Sequence, residues 1–389
     1  MTAVTIALVA CGQADAPGGE PVTELDSAGV RIVRSDTSGV QTMTLGDPVQ
    51  RHGDIDGDGP HLFSRIADGL FTADGFVVAD AGSMEVRAFD SDGTHLWSFG
   101  ARGQGPGEFL DLARIERYRG DSLVVFDRGT QRATVIAGDG SGARVVSMTG
   151  GPGRPIRYVI PLDDGSMVAR SSGSGSGHAQ PHRLFRDPVV LERFAAEGRW
   201  FAHLLEIPGD DMYRHPTGTG VAINNHPVGR IPSFTSDGAR ILVAEGTRAA
   251  VEIWSVEGAL QARFEVEVVP PTVTPEVRTS VLESFLGDPE PGFRREIEAL
   301  FEALEWPERL PGASALVRGR AGGIWIRGGV VPGESSARWW RLNDAGRLIT
   351  RVEVPLDVRV LDTDGARVLG VDTDDLGVER IAAYPLVAR

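Results

Sequence analysis

Residues 74–109 read DGFVVADAGSMEVRAFDSDGTHLWSFGARGQGPGEF. Three apolar runs lie here, at 76–79, 86–89 and 96–99, and they are separated by Asp80-Ala81-Gly82-Ser83 and Asp90-Ser91-Asp92-Gly93. Short β-rich runs divided by Gly and Asp clusters predict an antiparallel meander. A single meander leaves apolar faces uncovered, so it needs neighbours, and a repeat of the unit supplies them. The residue that ends the second strand of each unit acts as a ruler: Asp80, Asp127, Arg170, Glu245, Arg327 and Asp372. Successive gaps are 47, 43, 75, 82 and 45 residues. A period of about 45 residues is the size of a four-stranded propeller blade.

The other units follow the same grammar. The second holds 121–127, 133–137 and 145–148. The third opens at 164–170 and is interrupted by SSGSGSGHAQP at 171–181. The fourth spans 237–266, the fifth 322–354 and the sixth 364–384. The two long gaps each contain an insertion: the Gly/Ser loop with 207–230, and residues 270–311. The sixth unit runs out of chain after its third strand. The spare segments 30–33 or 43–49 are then expected to supply the missing outer strand and close the ring. The expected fold is therefore all-β, a six-bladed β-propeller, with residues 25–389 as one domain. A two-sheet sandwich leaves the fixed period unexplained.

Residues 270–311 break the β pattern. Thr274-Pro275-Glu276 combines a capping hydroxyl, Pro at the first helical position and an acid in the first turn. Val277, Val281, Leu282 and Phe285 then share one helical face. After Asp288-Pro289-Glu290-Pro291-Gly292, a second stripe holds Phe293, Ile297, Leu300, Phe301 and Leu304. This predicts a helical hairpin between two blades, either packed on the rim or closing one mouth of the channel.

The chain has 389 residues, 41% hydrophobic and 24% charged, enough apolar material for a large core. Its net charge of −15 argues against a nucleic-acid partner and against electrostatic docking on anionic lipid. All 39 basic residues are Arg. The single cysteine, Cys11, excludes an intramolecular disulfide. It closes the run Leu8-Val9-Ala10-Cys11, which resembles a bacterial lipobox. A linker-like GQADAPGGEP follows. Residues 1–24 therefore read as a lipoprotein signal and flexible tether, with Cys11 as the lipidation site. The membrane is met only through that anchor.

Taken in order, further motifs extend the resemblance. They are GVRIV at 29–33, DGFVVAD at 74–80, FGARGQGPGEF at 99–109, the Thr274-Pro275-Glu276 helix start, GGIWIR at 322–327, WWRLNDAGRLI at 339–349 and VLGVDTDDLGVERI at 368–381. The chain resembles bacterial six-bladed β-propeller lipoproteins with NHL-like repeats over nearly all of its length after Cys11. The resemblance implies a fold and an envelope location, periplasmic or surface-exposed. It implies no activity and no catalytic residues.

Candidate chemistry is sparse. The six strand-end residues Asp80, Asp127, Arg170, Glu245, Arg327 and Asp372 either form a charged collar for a ligand at the channel or hold the turns that follow them locally. Asp54, Asp56 and Asp58 have the spacing of a calcium loop, but Arg65 stands where the bidentate Glu belongs. Gly103-Gln104-Gly105-Pro106-Gly107 lacks the Lys-Ser/Thr of a phosphate-binding loop and reads as an inter-blade turn. His178 and His182 lie in the Gly/Ser loop. His215, Asn224, Asn225 and His226 lie in the irregular insertion. No nucleophile elbow occurs. Two functions follow. One is a lipid-anchored binding module, a monomer whose loops take a protein or small-molecule ligand. The other is a metal-dependent hydrolase or lyase at the channel, with a divalent ion such as calcium as cofactor. The chain has only three Asn and no recognisable ligand set for such an ion. That favours the binding module, with no cofactor.

Overall fold

A computed structural model describes residues 22–53, 59–149, 151–173, 180–218, 220–286 and 291–389. Cys11, the lipobox, most of the tether, Asp54, Asp56, Asp58 and His178 lie outside the described residues. The first strands are β1 (Val22–Ser27), β2 (Val30–Ser35), β3 (Thr42–Leu45) and β4 (Gln50–His52). Four-stranded antiparallel meanders follow. The first is β5 (Ile66–Phe71), β6 (Gly75–Asp80), β7 (Glu85–Asp90) and β8 (His95–Phe99). The second is β9 (Leu112–Arg117), β10 (Leu123–Asp127), β11 (Arg132–Ile136) and β12 (Ala143–Ser147). The third is β13 (Ile156–Pro161), β14 (Met167–Ser172), β15 (Pro188–Phe194) and β16 (Trp200–Pro208). After a separate hairpin, β17 (Met212–Thr217) and β18 (Gly220–Asn225), comes β19 (Ser233–Ser236), β20 (Arg240–Ala244), β21 (Ala250–Ser255) and β22 (Leu260–Val266).

Helices α1 (Pro275–Leu286) and α2 (Pro291–Ala303) separate that sheet from β23 (Ala315–Arg318), β24 (Ile324–Arg327), β25 (Ser336–Leu342) and β26 (Leu348–Pro355). The chain ends with β27 (Val358–Thr363), β28 (Arg367–Thr373) and β29 (Glu379–Ala388). The first strands of the meanders meet side by side: β5 lies against β9, β9 against β13, β13 against β19, β19 against β23, β23 against β27, and β27 against β5. The fold is a β-propeller, with the helical hairpin inserted between β22 and β23.

Closure uses more of the N-terminal segment than the spare-strand expectation allowed. β2 does not complete the last meander; it pairs in parallel with β22, and β1 adds outside it. β3 lies between two sheets, parallel to β26 and antiparallel to the end of β29. β4 takes the outer place beside the start of β29. β29 is ten residues long, so its two halves accept two different partners.

Apolar side chains fill the spaces between neighbouring sheets rather than one central core. Leu70, Val77 and Val86 pack with Leu112, Ile115 and Val125. Phe71, Phe76 and Phe89 pack with Leu369, Val371 and Ile381. Equivalent clusters join the sheets of β10 and β14, of β14 and β20, and of β20 and β24. Trp325, Trp339 and Val352 face Val358, Val360 and Val368. The tight turns explain the Asp-Gly signals. Asp90, Ser255, Asn343 and Asp374 each accept a backbone N–H two residues on. Gly93, Gly258, Gly346 and Gly377 then take φ of 83, 84, 85 and 81°, a region unfavourable to residues with a Cβ.

Thr274 caps α1 as its sequence predicts, its Oγ1 accepting from Val277 N at 3.4 Å. Val277, Val281, Ile297, Phe301 and Leu304 are buried. Phe285 and Phe293 are 57% and 48% exposed, so the buried stripe is narrower than the apolar positions on offer. None of the described helices is long and apolar enough to cross a membrane.

Candidate functional site

The strand-end residues do not form one collar. Asp80 is fully buried, and its carboxylate accepts from Ser64 N (3.3 Å), Arg65 N (3.0 Å), Gly82 N (2.9 Å) and Ser83 Oγ (3.1 Å). Asp127 repeats the pattern with Leu110 N (3.1 Å), Asp111 N (2.7 Å), Gly129 N (3.1 Å) and Thr130 Oγ1 (2.7 Å). Each Asp ties the entry of the first strand to the exit of the second, which is the local turn-holding role. Asp372 takes Arg51 of β4 and the Tyr384 hydroxyl. Glu245 takes Arg186 and Thr247 N, and Arg170 pairs with Asp210 at 3.0 Å. Burial works to raise the Glu245 carboxyl, but these two hydrogen bonds outweigh it and hold it below the usual range. Among the described residues no ion pair joins two of the six, and Arg327 has no acceptor.

A cavity of about 530 Å³ lies instead along the first strands, where the sheets converge. One wall is charged: Asp68 of β5, Arg114, Glu116 and Arg117 of β9, and Asp362 of β27. The strands β23 to β27 add apolar groups, Leu316, Val317, Trp339, Leu356, Val358 and Val360, with Arg318, Arg327 and Arg359 among them. Of the six strand-end residues, Arg327 alone lines it. Arg114 Nε lies 2.5 Å from Glu116 Oε1. Its guanidinium also stands 4.6 Å over the Tyr158 ring and donates to Phe234 O at 3.3 Å. One side chain from β9 thereby reaches across β13 to β19. Arg117 pairs with Asp362, which also accepts from Phe71 N at 2.8 Å.

Asp68 differs from its neighbours. Its carboxylate accepts only backbone N–H groups, from Gly69 at 2.9 Å and Ile115 at 3.2 Å. Burial pushes its pKa up to about 7, with the Glu116 charge adding and Arg114 opposing. Burial also raises Glu116 and Asp362 against the pull of their arginines. The period marked by the second strands does not reach this lining, because the first strands face the axis. A signal does exist: Leu112-Ala113-Arg114-Ile115-Glu116-Arg117 places ionisable groups inside a strand whose neighbours are apolar.

The insertions meet each other, and none of their described residues lines the cavity. Glu305 N donates to His182 O at 2.9 Å, and His226 stands edge-on to Trp306 with ring centroids 5.0 Å apart. Beneath them Asp211, 1% exposed, accepts from Arg230 Nε (2.8 Å), Nη2 (3.0 Å) and N (2.9 Å), with Arg186 3.3 Å away. Burial pushes His226 down to about 4. His215 stacks on Tyr213, and Asn224 and Asn225 are exposed on β18. In the glycine loop, Gly105 N donates to Glu108 Oε2 at 2.7 Å, so the turn is satisfied internally. Among the described residues no group of three His, Cys, Asp or Glu is arranged to hold a metal ion.

No protein-family model matches the chain, and no curated protein matches it either. Solved structures are similar in fold. One is an exported protein of Bacteroides fragilis, with a TM-score of 0.50 and 8% identity over 92% of this chain and 99% of that one. Another is a DUF4221-family member of Bacteroides vulgatus, with a TM-score of 0.50 and 8% identity over 89% of this chain and 99% of that one. At that identity the likeness concerns the fold.

Proposed function

We propose that this chain is a lipid-anchored propeller of the cell envelope, six-bladed and monomeric, that binds a small molecule in its central cavity. The observation that carries the reading is the cavity itself, about 530 Å³ and lined by charged and apolar side chains together. Convergent polar groups beside apolar surface are the usual composition of a ligand site. The lipobox at Cys11 and the tether behind it support the envelope location, since they present the propeller outside the cytoplasm on a flexible leash. The closed circle of first-strand contacts supports the count of six.

Most charged groups of the cavity wall are already engaged. Glu116 is held by Arg114 and Asp362 by Arg117, which leaves few free carboxylates for a metal-dependent hydrolase or lyase. Asp68 is the one observation that favours chemistry, because a carboxyl near neutrality suits proton transfer. Binding fits the remaining groups better. The test is a thermal-shift screen of small molecules against the native protein and Ala113→Trp, which fills the cavity from β9. Hits that stabilise the native protein and not the folded variant support the reading. Equal stabilisation of both places the site elsewhere.

A further inference from the structure

Resting on that reading of the cavity, we infer that its ligand is an anionic amphipath, a carboxylate or sulfonate joined to an apolar body. Arg327 is the anion's partner, and Leu356 and Val358 are the apolar surface.

The argument starts from the cavity's arginines. Arg114 has Glu116, and Arg117 has Asp362. Arg318 has Asp344 at 2.5 Å. Arg359 donates to the Ile66 and Ala67 carbonyls at 2.5 and 3.1 Å. Arg327 alone among the cavity's described arginines has neither an ion pair nor a hydrogen-bond acceptor. It is half-buried. Its pKa is lowered by burial alone, with no carboxylate near enough to oppose the loss of water. A desolvated guanidinium without an acceptor is costly, and an incoming anion removes the cost.

Local structure explains why Arg327 is free. It occupies the strand-end place where Asp80 and Asp127 grip their turns. Arginine cannot accept those N–H groups. The next segment, Gly328-Gly329, leaves the strand differently: Gly328 N donates to Arg338 O and Gly329 N to Pro311 O. The side chain is thus excused from the turn. Across the sheet, Arg327 is paired with Ala315 on one side and Trp339 on the other. Cross-strand partners share a face, so the Arg327 side chain leaves the sheet between a small residue and an indole. Next to them the end of β26, the turn after it and the start of β27 contribute Val354, Leu356 and Val358 to the same lining. A planar fork beside apolar surface recognises a carboxylate or sulfonate bidentately while the apolar body covers Leu356 and Val358.

The probe is 8-anilinonaphthalene-1-sulfonate, followed by fluorescence, with hexanoate, hexane-1-sulfonate and hexan-1-ol as competitors. Four proteins are compared: native, Arg327→Gln, Arg144→Gln and Ala113→Trp. Arg144 lies on β12, outside the cavity, and controls for the lost charge. Unfolding curves confirm that each variant is folded. The inference expects Arg327→Gln to weaken the probe and both anions by about tenfold. Arg144→Gln should change nothing, and hexan-1-ol should compete poorly against the native protein. It is overturned if Arg327→Gln binds the anions as the native protein does, or if hexan-1-ol competes as well as hexanoate. Should Ala113→Trp still abolish binding in those cases, the cavity reading survives without its anion. Should Ala113→Trp bind as the native protein does, both readings fail.

Discussion

Asp68 is held by two backbone N–H groups and faces two partners of opposite sign, Arg114 and Glu116 of β9. Its carboxyl, raised to about 7, binds a proton more tightly in the folded chain than in the unfolded one. Between the unfolded value near 4 and pH 7 the folded state therefore holds the extra proton. The associated stability is full below the unfolded value and is lost as pH rises through 7. Asp68→Asn keeps the acceptor for Ile115 N and cannot ionise. It is expected to match the native protein near pH 4 and to exceed it by about 2 kcal/mol at pH 8, discounted for partial exposure. Urea unfolding at both pH values checks this, and a difference that does not change with pH removes Asp68 as the titrating group. The strand-end acids behave differently. Asp80 and Asp127 spend their oxygens on neighbouring N–H groups, so a motif that looked like a ligand collar is a way of fastening strands.

The two insertions form one element although 39 residues and a whole sheet separate them in sequence. Trp306 is the joint. It meets His226 of one insertion and Phe301 of the other, donates to Phe301 O at 3.1 Å, and lies 5.4 Å beneath Arg278. Trp306→Ala removes all of these contacts from a half-buried position. The expected cost is about 2 kcal/mol, below the range for a fully buried Trp. It should stay local: hydrogen exchange speeds up in α1, α2 and 212–230 and is unchanged in β5–β12. Faster exchange throughout the propeller would mean that the joined insertions brace the whole ring. This joint was not legible beforehand. Helical periodicity identified each apolar stripe, and turn chemistry identified each strand, because both are local rules. Which insertion touches which depends on where the ring carries them, and no local rule encodes that. The channel wall was hidden for the same reason: Glu116 and Asp362 are ordinary polar residues in strands until the sheets converge.

At the scale of the molecule, the ring is shut by its own N-terminal segment, and in a manner that spreads the load. β2 adds to the β22 edge, while β3 is inserted where the β26 and β29 edges approach each other. The period in the sequence foretold that something from the N-terminus must complete the last meander. It could not choose among short strands of similar character, and the partner of 30–33 turned out to be a different sheet. The two kinds of added strand make a test of closure. β3 has a strand on each side, so each of its backbone N–H groups faces a partner, and Thr44 Oγ1 also reaches Glu353 O at 3.1 Å. β1 is an outer edge with one neighbour. A proline removes the N–H and fixes φ, which leaves a buried carbonyl unpaired at a cost of about 1–3 kcal/mol where the strand is enclosed and much less at an edge. Thr44→Pro is therefore expected to lower stability by about that amount, and Thr23→Pro by under about 1 kcal/mol. If closure is cooperative, Thr44→Pro still unfolds in one transition at a lower denaturant midpoint. A split into two transitions would show that the sheets of β23–β29 open independently, and equal costs for the two prolines would show that β3 does not lock the ring.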